Sequence, residues 1–386
     1  MNMRAFIALA AAVGIFHSAS AAVAADSLEI PTILPMTGPA AFLGKEFSET
    51  LRLVEDRTNK TGGIKGRPIH FAVQDDQSSP QVAVQLTNAA LAKNPTVIIQ
   101  GGPLALCKST APLIPGGLLM WCLSPSMRPD AGSSVYTVTA SSRDCLIAGL
   151  NYFKSRGFKR IGVLNGTDAT GADADDLLAE IIKLPQFAGM SFVDSEHFNL
   201  ADLSVAAQIS RIKAAGSQAM IAYTTGTQVA TVLHGMTDAG LDIPVLTSNG
   251  NMSVAQLDGY KSFAPKELLF PAYPALTADP SPDKGVQQKI AVFKADLKGA
   301  NMTADMLHAI PWDPALLTVE AFRRAGADAT TQQIRDVLAS VVNYPGVLGR
   351  YDFRAIPNRG IGLNALNVVK WDAARSIWVI VSKAGG

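Results

Sequence analysis

Between Thr58 and Asp76 the chain reads TNKTGGIKGRPIHFAVQDD, which sets glycines beside a lysine and ends on paired aspartates. Glycine-rich loops with a lysine cradle phosphates, and neighbouring carboxylates can hold a metal ion. A phosphate loop or dinucleotide fingerprint runs from a strand into a helix. Here Gly62, Gly63 and Gly66 follow a helical pattern and precede a strand pattern, so the order is reversed. Gly62 suits the left-handed position that ends a helix. Gly63 and Gly66 suit a tight turn, and Pro68 a strand entry. Asp75 and Asp76 point to opposite faces if they close a strand. The following Gln77-Ser78-Ser79-Pro80 lacks the alternating oxygen series of a calcium loop. One aspartate is expected to face solvent and the other to hydrogen-bond near the next helix start.

Other reactive residues are dispersed. The sequence contains neither a Gly-x-Ser-x-Gly elbow nor a His-Glu-x-x-His helix. Its five histidines, His17, His70, His197, His234 and His308, are scattered, and no metal or cofactor is expected. Thiol catalysis at Cys107 would need a histidine beside it. Cys107, Cys122 and Cys145 permit one disulfide and one free thiol, with the pair undetermined, or three buried reduced thiols.

The elements that must position such residues alternate. Strand patterns at 28–34, 69–74, 96–100 and 118–124 are separated by helical patterns at 44–61, from Ser79-Pro80, and from about Leu104. The rhythm restarts with a helix at 143–156, a strand at 160–165, a helix at 172–183 and a strand at 191–197. It continues with a helix at 202–215, a strand at 218–224, a helix at 227–239 and a strand at 244–248. This alternation predicts an α/β protein with two doubly wound parallel sheets. After an apolar run at 268–275 come helices at 282–298, 314–325 and 331–342, and then a hairpin around Asp372-Ala373-Ala374-Arg375.

Residues 1–25 combine Arg4, an apolar stretch at 5–16 and Ala22-Val23-Ala24, the pattern of a secretory leader cleaved near Ala24/Ala25. That stretch is too short to span a bilayer, and no nearby cysteine invites a lipid anchor. The chain has 33 Lys+Arg and 32 Asp+Glu, and Arg4 leaves with the leader, so the mature charge is near zero and no nucleic-acid surface is implied. About 360 residues favour two lobes over one core.

In order and spacing, ILPMTGPAAFLG (33–44), TGGIKGRPI (61–69), AVQDDQSSPQVAV (72–84), IIQGGP (98–103), LSPS (123–126), RIGVLNGTDATG (160–171) and WDPALLTVEAF (312–322) cover essentially the whole mature chain. Together they resemble the periplasmic solute-binding proteins of branched-chain amino acid-type ABC importers, the leucine-binding-protein-like type I binding proteins. The resemblance implies lobes of 26–143 plus 275–347 and of 144–274 plus 348–386, joined by three crossovers. It further implies a ligand cleft between them, a monomer in the periplasm, and a membrane permease as partner. Closure would be a hinge motion.

The loops that the resemblance marks, read together with the residues themselves, give candidate ligand contacts at Phe42, Leu43, Pro103, Leu104, Ala105, Leu106, Ser124, Ser126, Arg128, Thr170, Thr225, Gly226, Thr227, Asn249, His308 and Trp312. Two departures weaken an α-amino acid reading. The serine offered to the ligand carboxylate after the fourth strand is replaced by Leu104-Ala105-Leu106. The acid that grips an α-ammonium is replaced by neutral Asn249. A buried ammonium needs an anionic partner. Arg128 could clamp a carboxylate through its planar fork, or lie on the surface beside Pro129-Asp130. Phe42, Trp121 and Trp312 could stack on a flat ligand or pack in the core. His308 could donate to a ligand oxygen or face solvent. The expected ligand is a small carboxylate: an aromatic acid, an aliphatic acid or a modified amino acid. A periplasmic sensor signalling through a membrane receptor is the alternative.

Overall fold

The computed structural model describes residues 26–383 and 385, so the predicted leader lies outside the described residues. The first lobe is built on strands β1 (Leu28–Leu34), β2 (Ile69–Asp75), β3 (Val97–Gln100), β4 (Leu119–Cys122) and β5 (Val135–Tyr136). All pair in parallel, in the order β2-β1-β3-β4-β5. β3 (VIIQ) and β4 (LMWC) are buried at every position, as strands covered on both faces must be. Helices α1 (Ala41–Lys60), α2 (Pro80–Leu91) and α3 (Leu104–Thr110) make the crossovers. α2 starts where Ser79-Pro80 indicates, with the Ser79 side chain accepting from Val82 N.

The β1–β2 register pairs Leu34 with Asp75, so both strands end together. The Asp75 carboxylate therefore meets the loop leaving β1. It accepts from Met36 N (2.9 Å), Thr37 N (3.1 Å), Thr37 Oγ1 (2.7 Å) and Gln77 N (2.8 Å). Burial opposes the charge here, but these hydrogen bonds hold the carboxyl below its usual range. Asp76 points the other way, fully buried, with Gln100 Nε2 at 3.1 Å and Ser78 N at 2.9 Å. Burial pushes it up to about 6. The two faces and the helix-start bond are as predicted; the solvent-facing aspartate is instead a clamp on the β1 loop. Upstream, Gly63 has φ +61 and an added Cβ would stand 2.2 Å from Arg67 O, so the glycine cluster is a turn.

The second lobe holds α4 (Ser142–Ser155), α5 (Ala169–Ile181), α6 (Ala206–Ala214), α7 (Gln228–Asp238) and α8 (Val254–Asp258). These surround β6 (Arg160–Gly166), β7 (Ser191–Phe198), β8 (Ala219–Ala222), β9 (Val245–Thr247) and β10 (Leu268–Ala272). The chain then returns to the first lobe with α9 (Lys284–Gly299), α10 (Met306–Ala325) and α11 (Thr331–Ala339); α10 packs along α1 and α11 against β4. A short ribbon, β11 (Tyr344–Pro345) with β12 (Arg350–Tyr351), follows. Finally β13 (Asn367–Asp372) and β14 (Ile377–Ser382) extend the second sheet as an antiparallel hairpin, giving the order β14-β13-β10-β9-β8-β6-β7. The chain thus crosses between sheets after β5, after β10 and after β12.

β5, α8 and the β11–β12 ribbon were not expected from the sequence, and two expected helices begin elsewhere. α10 begins at Met306, not Pro314, and carries Pro311 and Pro314 inside it. Nearly every residue from Met306 to Phe322 is buried, and that packing outweighs a proline penalty of about 3 kcal/mol. α6 begins at Ala206 because Asp202 closes a turn by accepting from Asn199 N. The disulfide joins Cys107 to Cys122, tying α3 to the end of β4; Cys145 is a free, buried thiol. Among the described residues, no helix is long and apolar enough to cross a membrane.

Candidate functional site

Parallel strands place the loops after their C-terminal ends on one side, where open α/β sheets bind ligands. In the first lobe these loops cover residues 35–44, 101–106 and 124–128; in the second, 167–171, 223–227 and 248–251. The two sets meet. A Cβ on Gly226 would lie 3.3 Å from the Phe42 ring, and Gly226 itself, at φ +89, donates to Asn251 Oδ1 at 2.9 Å. The Ser253 hydroxyl donates to Glu46 Oε1 at 3.0 Å, and Met306 N donates to Met252 O at 3.1 Å. Arg128 pairs with Asp173, whose side chain is 4% exposed.

Beside these contacts lies a belt of buried polar atoms without a protein partner: Thr139 Oγ1, Ser142 Oγ, Asp173 Oδ2, Tyr223 Oη, Thr224 Oγ1 and Asn249 Oδ1. Ser142 and Ser248 face the Tyr223 hydroxyl, and burial holds that phenol neutral, well above its usual range. Asn249 Nδ2 lies 3.8 Å from Cys145 Sγ. Burial also pushes the Cys145 thiol up, so it is a donor and packing group, not a thiolate nucleophile. A buried polar atom left unpaired costs about 1–3 kcal/mol. Hydroxyl donors facing an amide acceptor form a surface suited to a small polar solute.

The predicted residues fall into three groups. Ser124, Ser126, Thr170, Thr225, Gly226, Thr227 and Asn249 lie in loops or first helical turns at strand ends, as do Phe42, Pro103 and Ala105. Leu43, Leu104, Leu106 and Trp312 are core residues: Leu104 packs with both disulfide sulfurs' residues, and Trp312 meets Phe293 edge-on at 5.1 Å. Trp121 is likewise buried, donating its Nε1–H to Thr318 Oγ1 at 2.9 Å. Arg128 and His308 are held by other side chains. Arg128 crosslinks the lobes through Asp173 instead of standing free for a ligand carboxylate. His308 is buried, with Nδ1 2.7 Å from Asp305 Oδ1 and 3.7 Å from Glu46 Oε2.

Glu46, Asp305 and His308 offer metal-ligating atoms within 4.8 Å of one another, a grouping the scattered histidines gave no sign of. Ligands of one tetrahedral ion sit about 3.3 Å apart. The 2.7 Å His308–Asp305 separation is a hydrogen bond instead. Burial opposes the imidazolium, yet Asp305, Glu46 and Glu49 together raise the His308 pKa. Burial, then the Asp305 charge, pushes Glu46 up to about 8. Glu46 Oε2 accepts no hydrogen bond; a proton there turns it into a donor toward Asp305. Tyr223, Ser142, Asp173, Glu46, Asp305 and Arg359 escaped the sequence reading. Only Tyr223, directly after the apolar AMIA strand, carried a readable signal.

Two hollows lie elsewhere. One, of about 840 Å³, is formed by the segments connecting the lobes, including Pro274, Ile356, Ile361 and Leu363. The other, of about 410 Å³, lies beside β2 and α2. Neither contains a predicted ligand residue.

Comparison with known proteins agrees with this architecture. A leucine-, isoleucine-, valine-, threonine- and alanine-binding protein from Pseudomonas aeruginosa is 25% identical over 247 residues, 63% of this chain. The match spans 65% of that relative's length. A type 1 periplasmic binding protein from Bordetella pertussis superposes with a TM-score of 0.79 at 21% identity, covering 92% of this chain and 100% of that one. A fatty acid ABC transporter substrate-binding protein from Thermomonospora curvata gives 0.79 at 18% identity, covering 93% and 92%. Residues 27–376 match the periplasmic binding protein family model, and the chain belongs to that family of solute-binding, non-enzymatic proteins.

Proposed function

We propose that this chain is the extracytoplasmic substrate-binding component of an ABC importer. It works as a periplasmic monomer released from its leader near Ala24/Ala25. Its lobes, residues 26–143 plus 275–347 and 144–274 plus 348–386, close by hinge motion around a small organic solute bearing a carboxylate and present it to a membrane permease. The contact set is Phe42, Pro103, Ala105, Ser124, Ser126, Thr170, Thr225, Gly226, Thr227 and Asn249, with Ser142 and Tyr223 added. The observation that carries this reading is the belt of unpartnered buried hydroxyls and amide at the strand ends, between lobes already in contact.

The names of two similar proteins support the solute class. One is named for neutral amino acids and the other for fatty acids; both ligand types carry a carboxylate. Neutral Asn249 favours acids over ammonium-bearing amino acids. Calorimetry against a panel of aliphatic acids, aromatic acids and amino acids tests the proposal. Binding of acids with one solute per chain is expected. Tight leucine or valine binding with no response to organic acids would overturn the ligand assignment.

A further inference from the structure

Arg359 lies in the third crossing, and only 7% of it is exposed. Its guanidinium donates to Thr139 O and Met127 O and forms no ion pair among the described residues. Guanidinium carries five N–H donors, and the others find no acceptor among the described residues. The two carbonyls locate it. Met127 sits in the loop 124–128 at the end of β4, and Thr139 leads into α4, whose first turn carries Ser142 and Cys145. Thr139 Oγ1 and Ser142 Oγ belong to the unpartnered belt. Asp144, Cys145, Asp173 and Tyr273 act on the guanidinium through space. Asp144 is engaged in the Ser141 capping box, one oxygen of Asp173 by Arg128 while Asp173 Oδ2 accepts no hydrogen bond, and the Tyr273 hydroxyl by Ala140 N at 2.6 Å.

A desolvated guanidinium with no acid in contact is unusual, because burying a charge without a contacting counter-ion is costly. Its planar donor fork matches a carboxylate. The N-terminus of α4, fourteen residues long, adds a favourable dipole on the same side.

We infer that Arg359 is the anchor for the carboxylate of the trapped solute, with Ser142 and Tyr223 hydroxyls beside it, and that the solute needs no α-ammonium. This rests on the solute-trapping reading above. The test is calorimetry with 4-methylpentanoate and benzoate, their amides, and leucine. The wild type should bind the better acid at least 100-fold more tightly than its amide. Arg359→Gln should weaken the acid at least 30-fold and leave the amide within threefold; Arg359→Lys should retain part of the preference. Thermal melts check that the variants fold, and the acid-to-amide ratio of the wild type needs no variant at all. Equal binding of acid and amide by the wild type, or an undiminished acid preference in Arg359→Gln, overturns the assignment and leaves solute trapping intact. Failure of acid, amide and leucine alike to bind the wild type overturns the underlying reading instead.

Discussion

Glu46→Gln should stabilise the protein, increasingly so as pH rises. Glu46 is a half-buried acid whose pKa is pushed up to about 8 by burial and Asp305. The folded state therefore keeps a proton that the unfolded chain releases near 4.5. Between those values folding takes up one proton, so stability is highest below about pH 4.5 and falls as pH rises to about 8. The slope is about 1.4 kcal/mol per pH unit, or about 5 kcal/mol across the window. The Glu46 side chain keeps 15% exposure and faces His308, whose charge lowers the value; about half, 2–3 kcal/mol, is the expected effect. Glutamine reproduces the protonated acid: its carbonyl accepts from Ser253 and its amide donates toward Asp305. His308, raised from its usual value, adds stability below about 6.5 that is lost as pH rises through its folded pKa in both proteins. Urea unfolding at pH 5, 7 and 9 should show Glu46→Gln within about 0.5 kcal/mol of wild type at pH 5 and ahead by about 2–3 kcal/mol at pH 9. A difference that does not change with pH would refute the protonated Glu46.

Arg128→Ala leaves the Asp173 carboxylate buried without its partner and should weaken solute binding about tenfold, through less stable closure; the Arg128→Ala/Asp173→Ala pair should recover part of that loss, and strictly additive losses would contradict the crosslink. Tyr223→Phe removes a hydroxyl with no protein partner, so unfolding free energy should stay within about 0.5 kcal/mol while solute affinity falls about tenfold. Replacing Cys107 and Cys122 by serine opens a bridge of sequence separation 15 and should cost about 3 kcal/mol in denaturant titration. Cys145 should resist thiol reagents until the protein unfolds, and labelling of the native protein would contradict its burial.

Much of the scaffold was legible in sequence because parallel strands buried on both faces read as short apolar runs, as in VIIQ and AMIA. Their ends then locate the cleft loops without any contact information. The proline-bearing start of α10 was illegible, since local propensity argues against it and only tertiary packing supports it. Side-chain direction was equally hidden. Trp312 has the composition of a stacking residue, yet the helix turns it into the first-lobe core. Glu46, Asp305 and His308 meet only because α10 packs along α1. Arg359 gave no local signal, because its position depends on where the third crossing passes the first. Arg128 sits in the loop after β4 that the sequence marks, but its partner Asp173 lies 45 residues on, in the other lobe, and no local pattern joins them.

The central claim, that solute is trapped between the two sets of strand-end loops, is tested most directly by a crystal structure grown with the tightest-binding acid. The account predicts closed lobes with the solute between the loops at 124–128 and 248–251, in contact with Tyr223 and Asn249. Solute seated instead in the 840 Å³ hollow among the connecting segments, or held by one lobe alone, would contradict it.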